Sequence, residues 1–371
     1  MSEIPGFETQ KYVSDIVVGQ RLTDKHGDRY LVTEELGKGG MGAVYKIKQE
    51  RTELDRALKI IRPSWFNRMP QKDRDGAVKR FHKEISAVAH LQNPFILPAV
   101  DVIEFDLNGE HTIGFVTELV EGTNLEDEIK KETFGLNPEL AVEFAGEIAM
   151  ALVSLDEVGL VHRDLKPANI FLEHMPNGKK FVRVGDFGLV ASAEDIQIER
   201  TLDNLLDSHS GKPKSEAYFA ELQRILSKKG ERITEQGMVV GTPNFMAPEQ
   251  IQGEPATHQS DLYALGVILY EMISREPIFV GRNYLDLAVQ HLNAIPPSFK
   301  GIGIENVPAW LEAIIMKLLQ KKPEDRFASA KEVFVALKEG VKKDYPKLMN
   351  EEPFMYNVGS DIDASKFAIA A

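Results

Sequence analysis

The sequence predicts an α+β fold in two lobes, a small β-rich N-lobe followed by a larger helical C-lobe. Three observations lead there. Strand-like runs dominate from Tyr30 to Val120, helical periodicity dominates after Leu125, and a chain of 371 residues is long enough for two separate cores. With 43% apolar and 27% charged residues, the chain is expected to fold rather than remain disordered.

The elements follow in order. Residues 1–28 are mixed and polar, with no readable period, and are taken as an N-terminal extension. The first lobe is drawn at 29–120. In it RYLVTEEL, AVYKIK and RALKII read as strands separated by Gly-rich or charged turns. Residues 76–91 read as a helix, and 96–105 and 111–120 as two further strands joined by the turn DLNGE. The lobes join near residues 121–124. The second lobe, 121–340, carries helical periodicity at 138–158, 261–274, 309–320 and 329–339. After Tyr345 no period is visible, so 341–371 is expected to be a loosely packed tail.

Composition excludes some functions. The formal net charge is −13 with no broad basic surface, which argues against nucleic acid as a partner. Cysteine is absent, so disulfides and thiolate metal sites are excluded, and a reducing, cytoplasmic setting is expected. The longest apolar run, LYALGVILYEMI at 262–273, is too short to span a bilayer and contains Glu271, so no membrane span is expected.

The chemistry starts at LGKGGMGAVY. Gly37, Gly39 and Gly42 form G-x-G-x-x-G, and glycines let backbone N–H groups approach phosphate oxygens closely. A plain Gly-rich hairpin or a dinucleotide-binding turn would give the same pattern. The dinucleotide turn needs a helix to start among the glycines, whereas AVYKIK is strand-like, so a hairpin over phosphates fits better. Lys59 in RALKII gains meaning from Glu84. Val78, Phe81, Ile85, Val88 and Leu91 form one apolar arc, and at about 100° per residue Glu84 falls inside it. A carboxylate on a buried stripe needs a cation, and Lys59 is the candidate.

The densest stretch is VHRDLKPANIFL. It places His162, Arg163, Asp164, Lys166 and Asn169 in one short loop between a helix and a strand, with Asp186, Phe187 and Gly188 following in VGDFGLV. Phosphoryl transfer needs hard oxygen ligands for Mg²⁺, a carboxylate beside the attacking hydroxyl and cations near the moving phosphate. Asn169 and Asp186 can supply the ligands, Asp164 the carboxylate, and Lys166 and Lys59 the cations.

With these motifs in order from about Tyr30 to about Leu337, the sequence resembles the protein kinase family. GKGGMGAVY and GTPNFMAPEQ look most like eukaryotic-like Ser/Thr kinases of bacteria. The resemblance implies the bilobal protein kinase fold, ATP as phosphate donor with Mg²⁺ (or Mn²⁺ in its place), and protein substrates modified on Ser or Thr, with autophosphorylation in the activation segment. It implies Asp164 as the catalytic base or hydroxyl-orienting residue, Asn169 and Asp186 as metal ligands, and Lys166 at the γ-phosphate. Lys59, held by Glu84, would bind the α- and β-phosphates. The nucleotide would further meet Gly37, Lys38, Gly39, Gly40, Gly42, Val44, Ala57 and Phe171, with Thr117 as gatekeeper and Glu118 and Val120 offering hinge backbone groups. Asp261 would tie the catalytic loop to a buried helix, Arg326 would pair with Glu249, and Thr242 would bond to the catalytic Asp and Lys. Two other readings stand beside it: a pseudokinase scaffold, against which the retained Lys59, Asp164 and Asp186 count, and a small-molecule kinase, against which the APE segment (Ala247, Pro248, Glu249) counts.

Regulation is read from Arg163, which in similar proteins marks an activation segment ordered by phosphate. Thr234 is the candidate site, the alternative being activation without phosphate. Gly185, before the DFG triplet, departs from many relatives with little effect expected. The larger departure is spacing, because Asp186 and Glu249 stand 63 positions apart, about twice the family's usual interval. The excess, about residues 195–232, contains two amphipathic pieces around SGKPK, one in IQIERTLDNLLDSHSG and one in SEAYFAELQRILSKKG. A helical insertion in the activation segment is expected over 196–229. It would fold on itself, dock on the lobes or bind a partner.

Overall fold

The computed structural model describes residues 16–38, 42–61, 85–107, 110–186, 243–281 and 284–356. The chain divides into two compact units, and within the described residues the first comprises 16–61 and 99–119 and the second 85–98 and 120–356.

The first unit is built on a six-stranded sheet. Its strands are β1 (Arg21–Thr23), β2 (Arg29–Lys38), β3 (Gly42–Gln49), β4 (Asp55–Ile61), β5 (Ala99–Leu107) and β6 (Glu110–Glu118), in the order β1-β2-β3-β4-β6-β5, every pair antiparallel. Successive side chains on a strand alternate faces. Tyr45 and Ile47 of β3, and Leu58 and Ile60 of β4, therefore share one face and join Tyr30, Val32, Ile103 and Val116 in the core. Full burial of one such side chain stabilises by about 1.5–3 kcal/mol. Gly114 of β6 leaves room for that layer, since a Cβ there would lie 2.6 Å from Leu58 Cδ1.

The sheet begins earlier than the expected boundary at residue 29. Strand β1 pairs with β2, and Ile16 and Leu22 are buried in the same core. The turn between the strands is closed by Asp24, whose Oδ1 accepts the amides of His26 (2.9 Å) and Asp28 (2.8 Å). A strand of three residues is too short to display a period, which is why the composition read as an extension.

The boundary after the helical stretch moves too. Residues 85–89 are helical, but 85–98 belong to the second unit. Asn93 Nδ2 donates to Met150 O (3.0 Å) and Ser154 Oγ (2.7 Å), and its Oδ1 accepts the Phe95 amide (2.8 Å). Ile96 and Leu97, expected to open a strand, are apolar because they are buried in that unit; β5 starts at Ala99.

The second unit is mainly helical. A small antiparallel sheet, β7 (Gly122–Asn124), β8 (Ile170–His174) and β9 (Lys180–Val184), accompanies α1 (Leu125–Lys131), α2 (Pro138–Glu157), α3 (Pro248–Ile251), α4 (His258–Ser274), α5 (Tyr284–Asn293), α6 (Ala309–Leu318) and α7 (Ala330–Asp344). Helix α2 starts as capping rules require: Asn137 Oδ1 accepts the Glu139 amide (3.0 Å) and Pro138 occupies the first turn. It packs against α4 and α7, and α4 packs against α6. Helix α4 starts three residues ahead of expectation, where Ser260 Oγ accepts the Thr257 amide at 3.0 Å. It ends at Arg275, whose φ of 63° is left-handed.

The tail is not loosely packed over its described part. Helix α7 runs on to Asp344, and Phe354 is fully buried, stacked on Phe334 with centroids 5.6 Å apart. Gly146 of α2 makes the space, since a Cβ there would lie 2.6 Å from Phe354 Cζ. Lys179 holds Glu351 at 2.6 Å, and Lys338 donates to Tyr356 O. One aromatic residue and two surface ions leave no periodic trace in a sequence.

Candidate active site

The loop between α2 and β8 is shaped by one carboxylate from a distant helix. Asp261 Oδ2 accepts the His162 amide (2.7 Å) and its Oδ1 accepts the Arg163 amide (3.0 Å). Burial pushes the Asp261 carboxyl up to about 7, against the pull of the two backbone donors. Arg163 has φ 69°, a left-handed conformation costing about 1–3 kcal/mol without compensating contacts. Buried His162 reaches the carbonyl of Gly185 with Nε2 at 3.0 Å, and burial lowers its imidazole to about 4, so it is neutral at pH 7.

These contacts present Asp164, Lys166, Asn169 and Asp186 together. Lys166 Nζ lies 2.7 Å from Asp164 Oδ2. Asn169, in a 3₁₀ turn that starts at Pro167, donates through Nδ2 to Asp164 O (2.8 Å) and Oδ2 (3.0 Å), and weakly to Asp186 O (3.4 Å). Asp186 also has a left-handed φ, 54°. The segment before it is pinned twice: Val184 exchanges hydrogen bonds with Phe95 and Leu97 (both 2.8 Å), and the Gly185 amide donates to Asn169 O (3.0 Å). A Cβ on Gly185 would lie 2.8 Å from Leu97 Cδ2 and 3.0 Å from Phe171 Cε2, which accounts for the glycine at this position.

A second carboxylate fastens the segment on the far side. Arg326 grips Glu249 through Nη1–Oε1 and Nη2–Oε2, each 2.8 Å, and Ser260 Oγ donates to Oε1 at 2.8 Å. Burial raises the Glu249 carboxyl, but the Arg326 hydrogen bonds and charge outweigh it and hold the group below its usual range. Gln250, the next residue, accepts the Ala247 amide at 3.0 Å.

The second unit holds an open cleft of about 330 Å³ whose walls include Asp164 and Lys166 from the loop, Phe245, Glu126 of α1 and Glu271 of α4. Neither glutamate was recognised from the sequence as functional. Glu271 stood out there only as a charge in an apolar run.

In the first unit, residues directly opposite one another across antiparallel strands share a face. Lys59 faces Val44 and Phe115, Ala57 faces Thr117, and Gly37 faces Val44, so all six stand on the sheet face away from the core. Thr117 is buried and its Oγ1 donates to Glu118 O at 3.0 Å. Lys38 ends β2 and Gly42 opens β3. In the second unit Val120 precedes β7 and Phe171 lies on β8. Gly39, Gly40, Glu84, Thr234, Thr242 and the 196–229 insertion lie outside the described residues.

Comparison with known proteins decides the family. The family model for the protein kinase domain matches residues 30–205 and 224–336. The chain belongs to the protein kinase family. Among curated relatives, this kinase chain is 32% identical over 321 residues to a probable serine/threonine-protein kinase of Clostridium perfringens, covering 86% of the chain and 39% of the relative. It is 29% identical over 335 residues to the serine/threonine-protein kinase PknB of Mycobacterium tuberculosis, covering 87% and 45%. The chain thus spans less than half the length of these relatives. A solved double mutant of the PknI kinase domain of M. tuberculosis superposes with a TM-score of 0.60 at 21% identity, covering 88% of this chain and 99% of that one, which establishes the kinase fold. Among the described residues no helix of this kinase is long and apolar enough to cross a membrane.

Proposed function

We propose that this kinase transfers the γ-phosphate of ATP to serine and threonine hydroxyls of proteins. The observation that carries the reading is the hydrogen-bonded group of Asp164, Lys166, Asn169 and Asp186, which assembles two carboxylates, one cation and one amide within one loop and the strand end beside it. Asp164 orients the substrate hydroxyl and accepts its proton. The hydroxyl oxygen bonds to the γ-phosphorus while the bond to the β–γ bridging oxygen breaks, leaving ADP. Lys166, already against Asp164, offsets charge on the transferring phosphate.

The donor set fits Mg²⁺. Asn169 commits its Nδ2 donors to Asp164, leaving its amide oxygen as ligand, and Asp186 adds a carboxylate. Magnesium typically takes one or two carboxylates plus phosphates and water, and among the described residues no group of three His, Asp or Glu forms an all-protein site. When bound, the ion neutralises phosphate charge, and Mn²⁺ suits the same oxygens.

Nucleotide contacts in the first unit are assigned to Gly37, Lys38, Gly42, Val44, Ala57, Thr117 and Glu118, with Lys59 at the phosphates. Gly39, Gly40 and Glu84 complete the assignment. Val120 and Phe171 are assigned to the nucleotide on the kinase resemblance alone. Arg163, Thr234 and Thr242 are assigned to regulation, and the 196–229 segment to docking on this kinase or a partner. The lack of cysteine supports a cytoplasmic setting, and the net charge of −13 supports protein rather than nucleic acid as substrate.

Incubation with ATP and Mg²⁺ followed by phosphoamino-acid analysis tests the class. Phosphoserine or phosphothreonine is the expected product; phosphotyrosine alone, or no phosphate on protein, would contradict it.

A further inference from the structure

The residue before Asp164 is strained, and two side chains from far along the chain hold it. Arg163 is left-handed, with φ 69°. Its amide donates to Asp261 Oδ1 at 3.0 Å, and its carbonyl oxygen accepts Gln250 Nε2 at 3.4 Å. That oxygen belongs to the peptide unit joining Arg163 to Asp164. A peptide unit is planar and turns as one piece, so a grip on the oxygen bears on where the Asp164 carboxylate points.

Gln250 grips from a firm footing. Its Oε1 accepts the Ala247 amide at 3.0 Å, which commits the acceptor end of the side-chain amide and turns the donor end toward Arg163. Ala247 is fully buried, and Glu249 is clamped by Arg326 and Ser260. The residue type is informative too. Closing the first turn of α3 on the Ala247 amide needs only an acceptor, which a glutamate supplies as well as a glutamine. Donating to a carbonyl at the same time needs the amide.

We propose that Gln250 is a positioning residue for phosphoryl transfer. It braces the peptide unit before Asp164 against the segment Ala247–Gln250, and so holds the carboxylate toward the substrate hydroxyl. This rests on the kinase reading above. Asp261 fixes the amide side of Arg163 and Gln250 the carbonyl side. At 3.4 Å the brace is a long hydrogen bond, so its effect on the rate is modest.

The test compares Gln250→Glu with Gln250→Met. Glutamate keeps the acceptor for the Ala247 amide but sets an oxygen against the Arg163 carbonyl; methionine keeps the length and supplies neither group. Two readouts are taken. The first is kcat and KM for ATP, with a degenerate serine-peptide mixture as acceptor. The second is the NMR cross-peak of the Arg163–Asp164 peptide unit in protein labelled with ¹³C-carbonyl arginine and ¹⁵N-aspartate. The pair Arg-Asp occurs twice in the sequence, at 74–75 and at 163–164, and Asp164→Asn identifies the second by its loss. Both substitutions should lower kcat by about threefold to tenfold, leave KM for ATP unchanged and move the 163–164 cross-peak. If Gln250 only caps α3, Gln250→Glu matches wild type in kcat and in the cross-peak, and the proposal is overturned. An effect confined to KM, or a cross-peak unmoved in both variants, overturns it as well. If wild type transfers no phosphate the kinase reading fails, and the cross-peak still decides whether Gln250 braces this peptide unit. Thermal denaturation confirms that the variants compared are folded.

Discussion

Arg326 and Glu249, 77 positions apart, form a two-toothed ion pair that is closed to solvent on both sides. Every remaining donor direction of the guanidinium is used: Nε donates to Gln320 O (2.9 Å), Nη1 to Gln259 O (2.7 Å) and Nη2 to Lys321 O (3.1 Å). The pair thereby ties α3, α4 and the segment after α6 at one point.

Removing one partner strands the other. Arg326→Ala is expected to cost about 3–5 kcal/mol of stability, measured by urea unfolding. The Glu249 carboxyl lies below its usual range in the folded state, so its contribution is present above the ordinary carboxylate pKa and is lost as pH falls through the folded value. The wild type should lose stability on acidification more steeply than Glu249→Gln.

Asp261→Asn tests the loop's second anchor. Each carboxylate oxygen accepts one backbone amide, so an asparagine turns an NH₂ toward one of them. A loss of about 1–3 kcal/mol is expected. The Asp261 carboxyl is raised to about 7, so ionising it costs stability as pH rises from the ordinary carboxylate range through 7. The asparagine variant should lack that decline in a Tm-against-pH series.

The buried tail gives a third expectation. Phe354→Ala should lower stability by about 3–5 kcal/mol, as for other fully buried phenylalanines. Gly146→Ala should displace the same ring, and the two effects should be strongly non-additive in a double-mutant cycle.

The grouping of Asp164, Lys166 and Asn169 was legible because these residues are contiguous in one short loop and of the types that phosphoryl chemistry calls for. Asp261 and Arg326 were legible only through resemblance, since nothing local announces a contact across 99 or 77 positions. Phe354 and Leu22 were illegible because a single buried side chain has no period. Ile96 and Leu97 misled because apolar character records burial and not the neighbour that provides it. Glu271 was visible only as a charge within an apolar run, and the cleft it lines is a tertiary feature that no local pattern announces.

The central claim is that Asp164 and its hydrogen-bonded neighbours carry phosphoryl transfer. Transfer of γ-³²P from ATP to protein or peptide, compared between wild type and Asp164→Asn at equal folded concentration, tests it most directly. The account predicts clear incorporation by wild type and a loss of about a hundredfold or more in the variant. Equal incorporation by both, or none by wild type with Mg²⁺ or Mn²⁺, would contradict it.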